Sequence, residues 1–138
     1  MFDVIDQLNW LAIALATFAY FILGALWFTP LFGNVYDTAL GVKRQKNQKW
    51  PPIYYVGPFV SSVVATIATA VLVFALDVNT LSEAITLGLV VGVGYALSVS
   101  INNAINPKTP RPLLYGLVTG GYHVVGITLV SAILFGLK

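Results

Sequence analysis

The sequence contains no cysteine and few charged residues. Of its 138 residues, seven are lysine or arginine, five are aspartate or glutamate and one is histidine, so charged residues make up 9% of the chain. The lack of cysteine excludes disulfide bonds and metal sites built from thiolates. A soluble domain carries about 25% charged residues, so this chain has too few to cover a surface in water. The net charge of +2 is also too small to indicate a nucleic-acid partner.

Apolar residues make up 58% of the sequence, and most lie in four runs long enough to cross a bilayer as helices. The runs are residues 8–28, 53–76, 81–105 and 112–137. Thr80 and Glu83 have the spacing of a capping box at the start of the third run, and Pro112 suits a first helical turn. The sequence therefore predicts an all-α integral membrane protein, in which residues 1–138 form a single domain, a four-helix bundle.

The basic residues indicate how the predicted spans are oriented. Two loops, one between the first and second spans and one between the third and fourth, hold Lys43, Arg44, Lys46, Lys49, Lys108 and Arg111. Only Lys138 lies on the opposite side. Because loops rich in lysine and arginine face the cytoplasm, we expect a multi-pass protein with both termini outside.

The connection after the first span has the spacing of a short amphipathic helix over residues 30–40. Pro30 is placed at its first turn and Gly41 ends it, so we expect this helix to lie in the membrane interface. The basic residues that follow are then expected to bind anionic lipid, namely Lys43, Arg44, Lys46 and Lys49. A solvated loop that only orients the protein is the alternative. Interfacial anchoring is also expected of Trp10, Trp27, Trp50 and Pro30.

Small residues recur at four-residue spacing on the third and fourth spans. Such residues let membrane helices approach closely. Those expected at helix contacts are Gly88, Gly92, Ala96, Gly116 and Gly120. All four spans have a face of this kind, which predicts a compact bundle. Because these faces exceed what one bundle requires, we also expect a homo-oligomer that forms through the third-span or fourth-span face.

Polar side chains are rare within the spans, and several are expected near the bilayer midplane. They are His123, Tyr122, Tyr95, Tyr20 and Thr66. His123, the only histidine, shares a helix face with Gly116 and Gly120, so we expect it at a helix contact. One interpretation is an uncharged histidine that fixes helix register through hydrogen bonds. The other is that an ionisable group within the membrane marks a path for protons, ions or a ligand.

A second polar group is expected at the cytoplasmic end of the third span. Asn102, Asn103 and Arg111 are predicted to form a polar mouth there. Alternatively, the asparagines only terminate the helix before Pro107.

Catalysis and metal binding lack the residues that they need. His123 has no acidic residue nearby to orient it as in a catalytic triad, and without a second ligand nearby it could hold a metal ion only as a ring across symmetric protomers. We therefore expect no enzyme activity and no cofactor.

Two parts of the sequence resemble a known family. They are the early run LNWLAIALATFAYFILGALWFTPLFG and the later residues Asn103, Arg111, Pro112, Gly121 and Tyr122. Both are similar to the bacterial membrane proteins grouped as domain of unknown function 1761, and the likeness covers nearly the whole chain. One departure is Thr119-Gly120, where an Asn-Ala pair is expected. The resemblance implies a four-helix protein of the bacterial cytoplasmic (inner) membrane without an assigned activity.

These features predict a homo-oligomeric passive channel or a transporter of ions or small solutes. Its path is expected at contacts between protomers, past the midplane tyrosines and His123. The alternative is a structural or accessory subunit that packs in a membrane complex and has neither transport nor catalytic activity.

Overall fold

A computed structural model describes residues 2–138, and every regular element in that range is helical. A short 3₁₀ helix, Phe2–Gln7, precedes six α-helices, which are α1 Trp10–Leu26, α2 Gly33–Leu40, α3 Ile53–Ala75, α4 Leu81–Val91, α5 Ser98–Ala104 and α6 Pro112–Gly136. Two π-helical turns are also present, Trp27–Leu31 at the end of α1 and Gly92–Leu97 between α4 and α5.

Four segments are long and apolar enough to cross a membrane, as predicted. These first to fourth spans are Trp10–Leu31, Ile53–Ala75, Leu81–Ala104 and Pro112–Gly136. Their ends agree with the predicted ends to within three residues, which confirms the all-α, four-span fold. Below, the basic end of the bundle is the end that carries residues 41–52 and 105–111, and the terminal end is the end near residues 9 and 137.

The fourth span lies at the centre of the bundle and contacts the other three spans and α2. The first span packs against the second and fourth spans. The third span packs along the fourth and has a much smaller contact with the second. In the most apolar part of each span, 44% of the residues of the fourth span are buried but only 17% of those of the third. The third span is therefore peripheral and depends on the fourth for its packing.

Glycines make the contact between the third and fourth spans very close. A Cβ atom added at Gly92 would lie 2.8 Å from Cα of Val124, and one added at Gly116 would lie 2.8 Å from Cα of Ile101. The glycines packed in this way are Gly88, Gly92, Gly116 and Gly120. Both faces are thus occupied within one chain. The neighbouring span covers these faces, so they are not available to a second copy in this arrangement, and homo-oligomer formation stays a prediction.

The π-helical turn Gly92–Leu97 helps to keep this contact continuous. Small residues at four-residue spacing drift around a 3.6-residue helix by about 40° at each step. A π-helical turn holds more residues per turn and so reduces the drift. As a result, Ala84 before the turn and Ala104 after it are both buried.

The connection after the first span differs in part from its prediction. Pro30 lies inside the π-helical turn Trp27–Leu31, and α2 begins only at Gly33. Proline has no N–H to donate, and the wider turn accommodates that loss, with the Phe32 N–H donating to the Trp27 carbonyl at 2.7 Å. The prediction that Pro30 opens the amphipathic helix is therefore wrong. The helix itself and its end at Gly41 are confirmed.

The second span separates from the bundle toward its basic end. Residues 53–56 are all exposed, whereas Ser62, Thr66 and Thr69 further along are buried. The polar side chains that this span contributes to the interior therefore begin only at Ser62.

Hydrogen bonds fix the terminal end. The Asn9 side chain accepts from the Ala12 N–H, which caps α1, and its Nδ2 donates to the Leu137 carbonyl at 2.8 Å. The Thr80 hydroxyl accepts from the Glu83 N–H at 3.1 Å, while the Glu83 carboxylate accepts from the Thr80 N–H at 3.0 Å. This reciprocal pair is the predicted capping box, and the structure confirms it.

Candidate functional site

A hydrogen-bonded pair of side chains lies in the middle of the bundle. The Tyr20 hydroxyl and His123 Nδ1 are 2.5 Å apart, and the two rings meet edge to face with centroids 6.1 Å apart. Tyr20 lies midway along the first span and His123 midway along the fourth. The pair therefore links these spans near the bilayer midplane, where a polar group needs a partner within the protein.

Gly126 allows the Tyr20 ring to approach the fourth span. A Cβ atom added at Gly126 would overlap the ring, with Cζ of Tyr20 only 2.9 Å away. Tyr20 is 2% exposed, so the ring has little room to move aside. The Tyr20 hydroxyl can therefore reach His123 only because residue 126 is a glycine, which has no side chain.

Tyr122 extends the polar group to the second span. Its hydroxyl donates to the Tyr20 backbone carbonyl at 3.3 Å and lies near the Ser62 side chain, whose own hydroxyl donates to the Pro58 carbonyl. A Cβ atom added at Gly24 would lie 3.0 Å from the same hydroxyl, so the first span passes close by. Sequence reasoning missed Ser62. The available signal was its position four residues before Thr66, which places both on one helix face.

Thr66 contributes a hydroxyl with no partner. The residue is fully buried, and its Oγ1 is the one enclosed side-chain oxygen or nitrogen of the described chain that makes no hydrogen bond. Other hydroxyls of the second span donate to the carbonyl four residues earlier, as Ser62 does to Pro58. Thr66 therefore holds an uncommitted polar group one helical turn from Ser62.

The second ring nitrogen of His123 is also uncommitted. Among the side chains that the structure describes, those of residues 4–138, and the described backbone, Nε2 has no hydrogen-bond partner. This nitrogen is also accessible at the surface. His123 is partly exposed, and the one enclosed side-chain nitrogen or oxygen without a partner in the described chain belongs to Thr66. An imidazole nitrogen thus reaches the surface of the bundle at mid-depth, where it can accept or donate a hydrogen bond.

Tyr95 is not part of this group. It is 70% exposed, on the side of the third span that faces away from the fourth. The prediction that Tyr95 shares a polar layer with His123 is wrong. The small residues of the third span turn toward the fourth span, and Tyr95 within the π-helical turn is thereby directed outward.

The predicted polar mouth does not form as a cluster. Asn102, Asn103 and Arg111 are all exposed, and no hydrogen bond or ion pair within the described range joins their side chains. The turn is organised by Asn106, whose Nδ2 donates to the Asn103 carbonyl at 3.0 Å and to Thr109 Oγ1 at 2.9 Å. The alternative interpretation agrees with the structure, since the helix ends at Ala104.

The tryptophans differ in their roles. Trp10 is exposed at the terminal end of the first span, and Trp50 is exposed beside Tyr54 at the basic end. Trp27, however, points into the bundle, where its Nε1 donates to the Val118 carbonyl at 3.0 Å. The prediction that Trp27 is an interfacial anchor is therefore wrong, because its indole N–H is used to join the first and fourth spans.

A polar groove opens at the basic end, between the π-helical turn of the first span and the segment after α2. It has a volume of about 590 Å³, and the polar side chains that line it belong to Thr29, Asn34, Asp37, Thr38, Lys43 and Arg44. Asp37 and Arg44 form an ion pair of 2.8 Å. Lys43 and Arg44 are two of the four residues predicted to bind anionic lipid. Lys46 and Lys49 do not line the groove.

Tyr36 of α2 packs on the ring of Tyr115 in the fourth span, with centroids 5.6 Å apart. Burial, aided by this neighbour, raises the pKa of Tyr36 from 10.0 to about 12. An unfolded chain loses this proton near pH 10.0, whereas the folded chain holds it to about pH 12. The contribution of this group to the free energy of unfolding is therefore fully present below pH 10.0 and is lost as pH rises to about 12.

We predict that Tyr36→Phe removes the pH-dependent contribution of Tyr36 to stability. Between pH 10.0 and about 12, the melting temperature of the variant should fall less than that of the wild type. Tyr54→Phe, at an exposed position, is the control for loss of a tyrosine hydroxyl. Parallel melting curves of wild type and Tyr36→Phe across this range would contradict the assignment.

The fold and these side chains define a class. The protein is a four-span integral membrane protein with a partly buried tyrosine–histidine pair at mid-depth. In the part of the chain that the structure describes, no three histidine, cysteine, aspartate or glutamate side chains lie close enough together to hold a metal ion.

Comparison with known proteins identifies the family. Residues 11–135 match the model of the family described as protein of unknown function (DUF1761), and the chain belongs to that family. No curated protein and no solved structure matches the chain. The family is the one indicated by sequence resemblance, which is thereby confirmed.

Proposed function

We propose that the protein is a homo-oligomeric channel or transporter for ions or small solutes, with His123, held in place by the buried Tyr20, at the middle of its path. The observation that carries this proposal is the uncommitted Nε2 of His123, which reaches the bundle surface at mid-depth. Ionisable groups at this depth are unfavourable in lipid and are usually found where ions, protons or a ligand pass.

Two further features support this proposal. The uncommitted Thr66 hydroxyl adds a second polar group in the core at similar depth. The third span, moreover, has a π-helical turn packed against the fourth span, and the π-helical turn of the first span contacts the fourth through Trp27. Interruptions of this kind are frequent at functional sites, and discontinuous helices carry the binding sites of many transporters.

The path is proposed to run between protomers. The fourth span fills the centre of the protomer with side chains, which leaves little space for a path within it. The exposed hydroxyl-bearing Tyr95 and the Nε2 of His123 both lie at the surface within the apolar zone. Contact with a second copy would remove these polar groups from lipid. Its surface must differ from the glycine faces, since these are covered within the chain.

Flux in liposomes tests the proposal. Purified protein is reconstituted and assayed with protons, alkali cations, small anions and small neutral solutes. We expect a flux that changes between about pH 5 and 7, where imidazole titrates. The groups facing His123 are Tyr20 and Tyr122, and no carboxylate of the described chain contacts it. His123→Gln should fold normally and abolish the pH dependence.

A pair of matched substitutions controls this experiment. Tyr20→Phe removes the hydroxyl that holds His123 and should alter the flux, whereas Tyr54→Phe removes an exposed hydroxyl and should not. Failure of wild-type protein to move any solute above empty liposomes would contradict transport. The same holds if both tyrosine variants and His123→Gln match the wild type.

The second candidate function is a structural or accessory subunit without transport activity. The observation that favours it is the close packing around the polar centre, where the Tyr20 ring fills the space above Gly126. In this case the hydrogen bonds only fix helix register. Inertness in every flux assay, combined with copurification of a larger membrane complex, would select this candidate.

We also propose that the basic end faces the cytoplasm and that both termini lie outside, from the bias of lysine and arginine toward that end. Because the chain has no cysteine, single cysteines report the orientation without background. An impermeant thiol reagent added to intact cells should label Asp77→Cys and spare Lys46→Cys. The reverse pattern would overturn the orientation.

A further inference from the structure

We infer that the polar groove at the basic end binds the phosphodiester group of an anionic glycerophospholipid. This site is separate from the midplane pair and does not depend on transport. Three properties of the groove support it, namely its charge, its fixed donors and its position beside exposed apolar side chains.

The charge of the groove matches that of a single phosphodiester. Lys43 and Arg44 contribute two positive charges and Asp37 one negative charge, which leaves a net charge of +1. A phosphodiester carries one negative charge. Asp37 also holds Arg44 in place, because Nε of Arg44 donates to one carboxylate oxygen at 3.0 Å and lies 2.8 Å from the other. The terminal nitrogens of the guanidinium thus remain for a second acceptor, in a fixed orientation.

Neutral donors complete the groove. The first turn of α2 begins at Gly33 and Asn34, both of which line the groove, and no side chain caps it. Uncapped amides at a helix start attract anions. The Asn34 side-chain amide and the Thr29 hydroxyl supply further donors at the groove wall. Hydrogen-bond donors at the start of α2 and cationic side chains of the segment after α2 can therefore both bind an anion in the groove.

The surroundings favour a lipid over free phosphate. The groove lies where the first span ends, which places it at the level of lipid headgroups. Val42 lines the groove and exposes its apolar side chain, as do Leu31 and Val35, which are close in sequence to residues that line it. Acyl chains can lie along such side chains while the phosphate is held in the groove. A soluble phosphate would gain nothing from them.

Native mass spectrometry of the full-length protein, with bound phosphatidylglycerol as the probe, tests the site. The key variant is Lys43→Gln/Arg44→Gln, and the matched control is Lys46→Gln/Lys49→Gln. Each removes two positive charges from the same segment, but only the first pair lines the groove. We expect the groove variant to lose about tenfold more affinity than the control, because charge-assisted hydrogen bonds add to the general attraction.

A third variant separates binding from folding. Asn34→Asp places a negative charge in the groove, keeps every cation and suits a helix start, so the protein should melt as wild type yet bind phosphatidylglycerol less. Phosphatidylcholine should be retained poorly by all forms, and inorganic phosphate should compete weakly. Equal losses in the groove and control variants would overturn the site and leave only diffuse attraction by the basic segment. Unchanged binding by Asn34→Asp, or full competition by inorganic phosphate, would overturn it as well.

Discussion

Replacing Gly126 by alanine is expected to destabilise the bundle by about 1–3 kcal/mol, the usual range for an added methyl group that a packed core cannot accommodate. The new Cβ atom would overlap the ring of Tyr20, which is 2% exposed. The first and fourth spans must then move apart, and the Tyr20 hydroxyl moves away from His123. The variant should therefore lose both stability and the central hydrogen bond.

Glycines of the same chain provide the control. No atom lies within 4 Å of a Cβ atom added at Gly94 or at Gly136, so alanine there should not destabilise the protein and should raise the free energy of unfolding by up to about 1 kcal/mol, because a helical glycine loses more backbone entropy on folding. Reversible unfolding in mixed micelles measures the difference. Equal stability of Gly126→Ala and Gly94→Ala would show that the spans are not packed as described.

Replacing His123 by leucine is expected to destabilise the protein by about 1–3 kcal/mol, because the buried Tyr20 hydroxyl then loses its partner. His123→Gln should be much milder, since glutamine retains a donor and an acceptor. Tyr20→Phe leaves His123 Nδ1 without its partner and should also destabilise.

A double-mutant cycle isolates the bond between the two side chains. The double variant Tyr20→Phe/His123→Leu should be less destabilised than the sum of its two single variants, because the second change leaves no further group unpaired. Strict additivity of the two effects in unfolding measurements would contradict a direct contact between Tyr20 and His123.

Much of the fold was predictable from local signals. The four spans follow from apolar length, and the capping box follows from Thr80 and Glu83. Such features depend on neighbouring residues, so they can be recognised without knowledge of packing. His123 does lie at a helix contact, but its partner Tyr20 belongs to the first span, whereas Gly116 and Gly120 face the third span. The face that His123 was predicted to share with these glycines therefore did not identify its partner.

The errors arose where packing partners decide the outcome. Counting residues places Tyr95 at the right depth, but its direction depends on which face the third span turns to the fourth. Trp27 is near the end of a span, as an interfacial anchor would be, yet the fourth span offers its indole N–H a carbonyl acceptor. Pro30 resembles a first-turn proline because the sequence does not show that a π-helical turn continues the helix past it.

The groove shows a similar limit. The basic residues were evident as a group, but the sequence does not distinguish Lys43 and Arg44 from Lys46 and Lys49. That distinction comes from the ion pair with Asp37 and from the return of the chain toward the start of α2.

Whether water reaches His123 in a bilayer is the most direct test of a path that runs past this residue between protomers. Because the chain contains one histidine, nitrogen-15 labelling of histidine gives a single imidazole whose signals need no further assignment. Solid-state NMR can then measure magnetisation transfer from water to this ring in lipid. The proposed path predicts efficient transfer to the Nε2 side of the ring, at a rate comparable to that of exposed side chains. An imidazole that receives no magnetisation from water, in protein whose fold is intact, would contradict a path past His123.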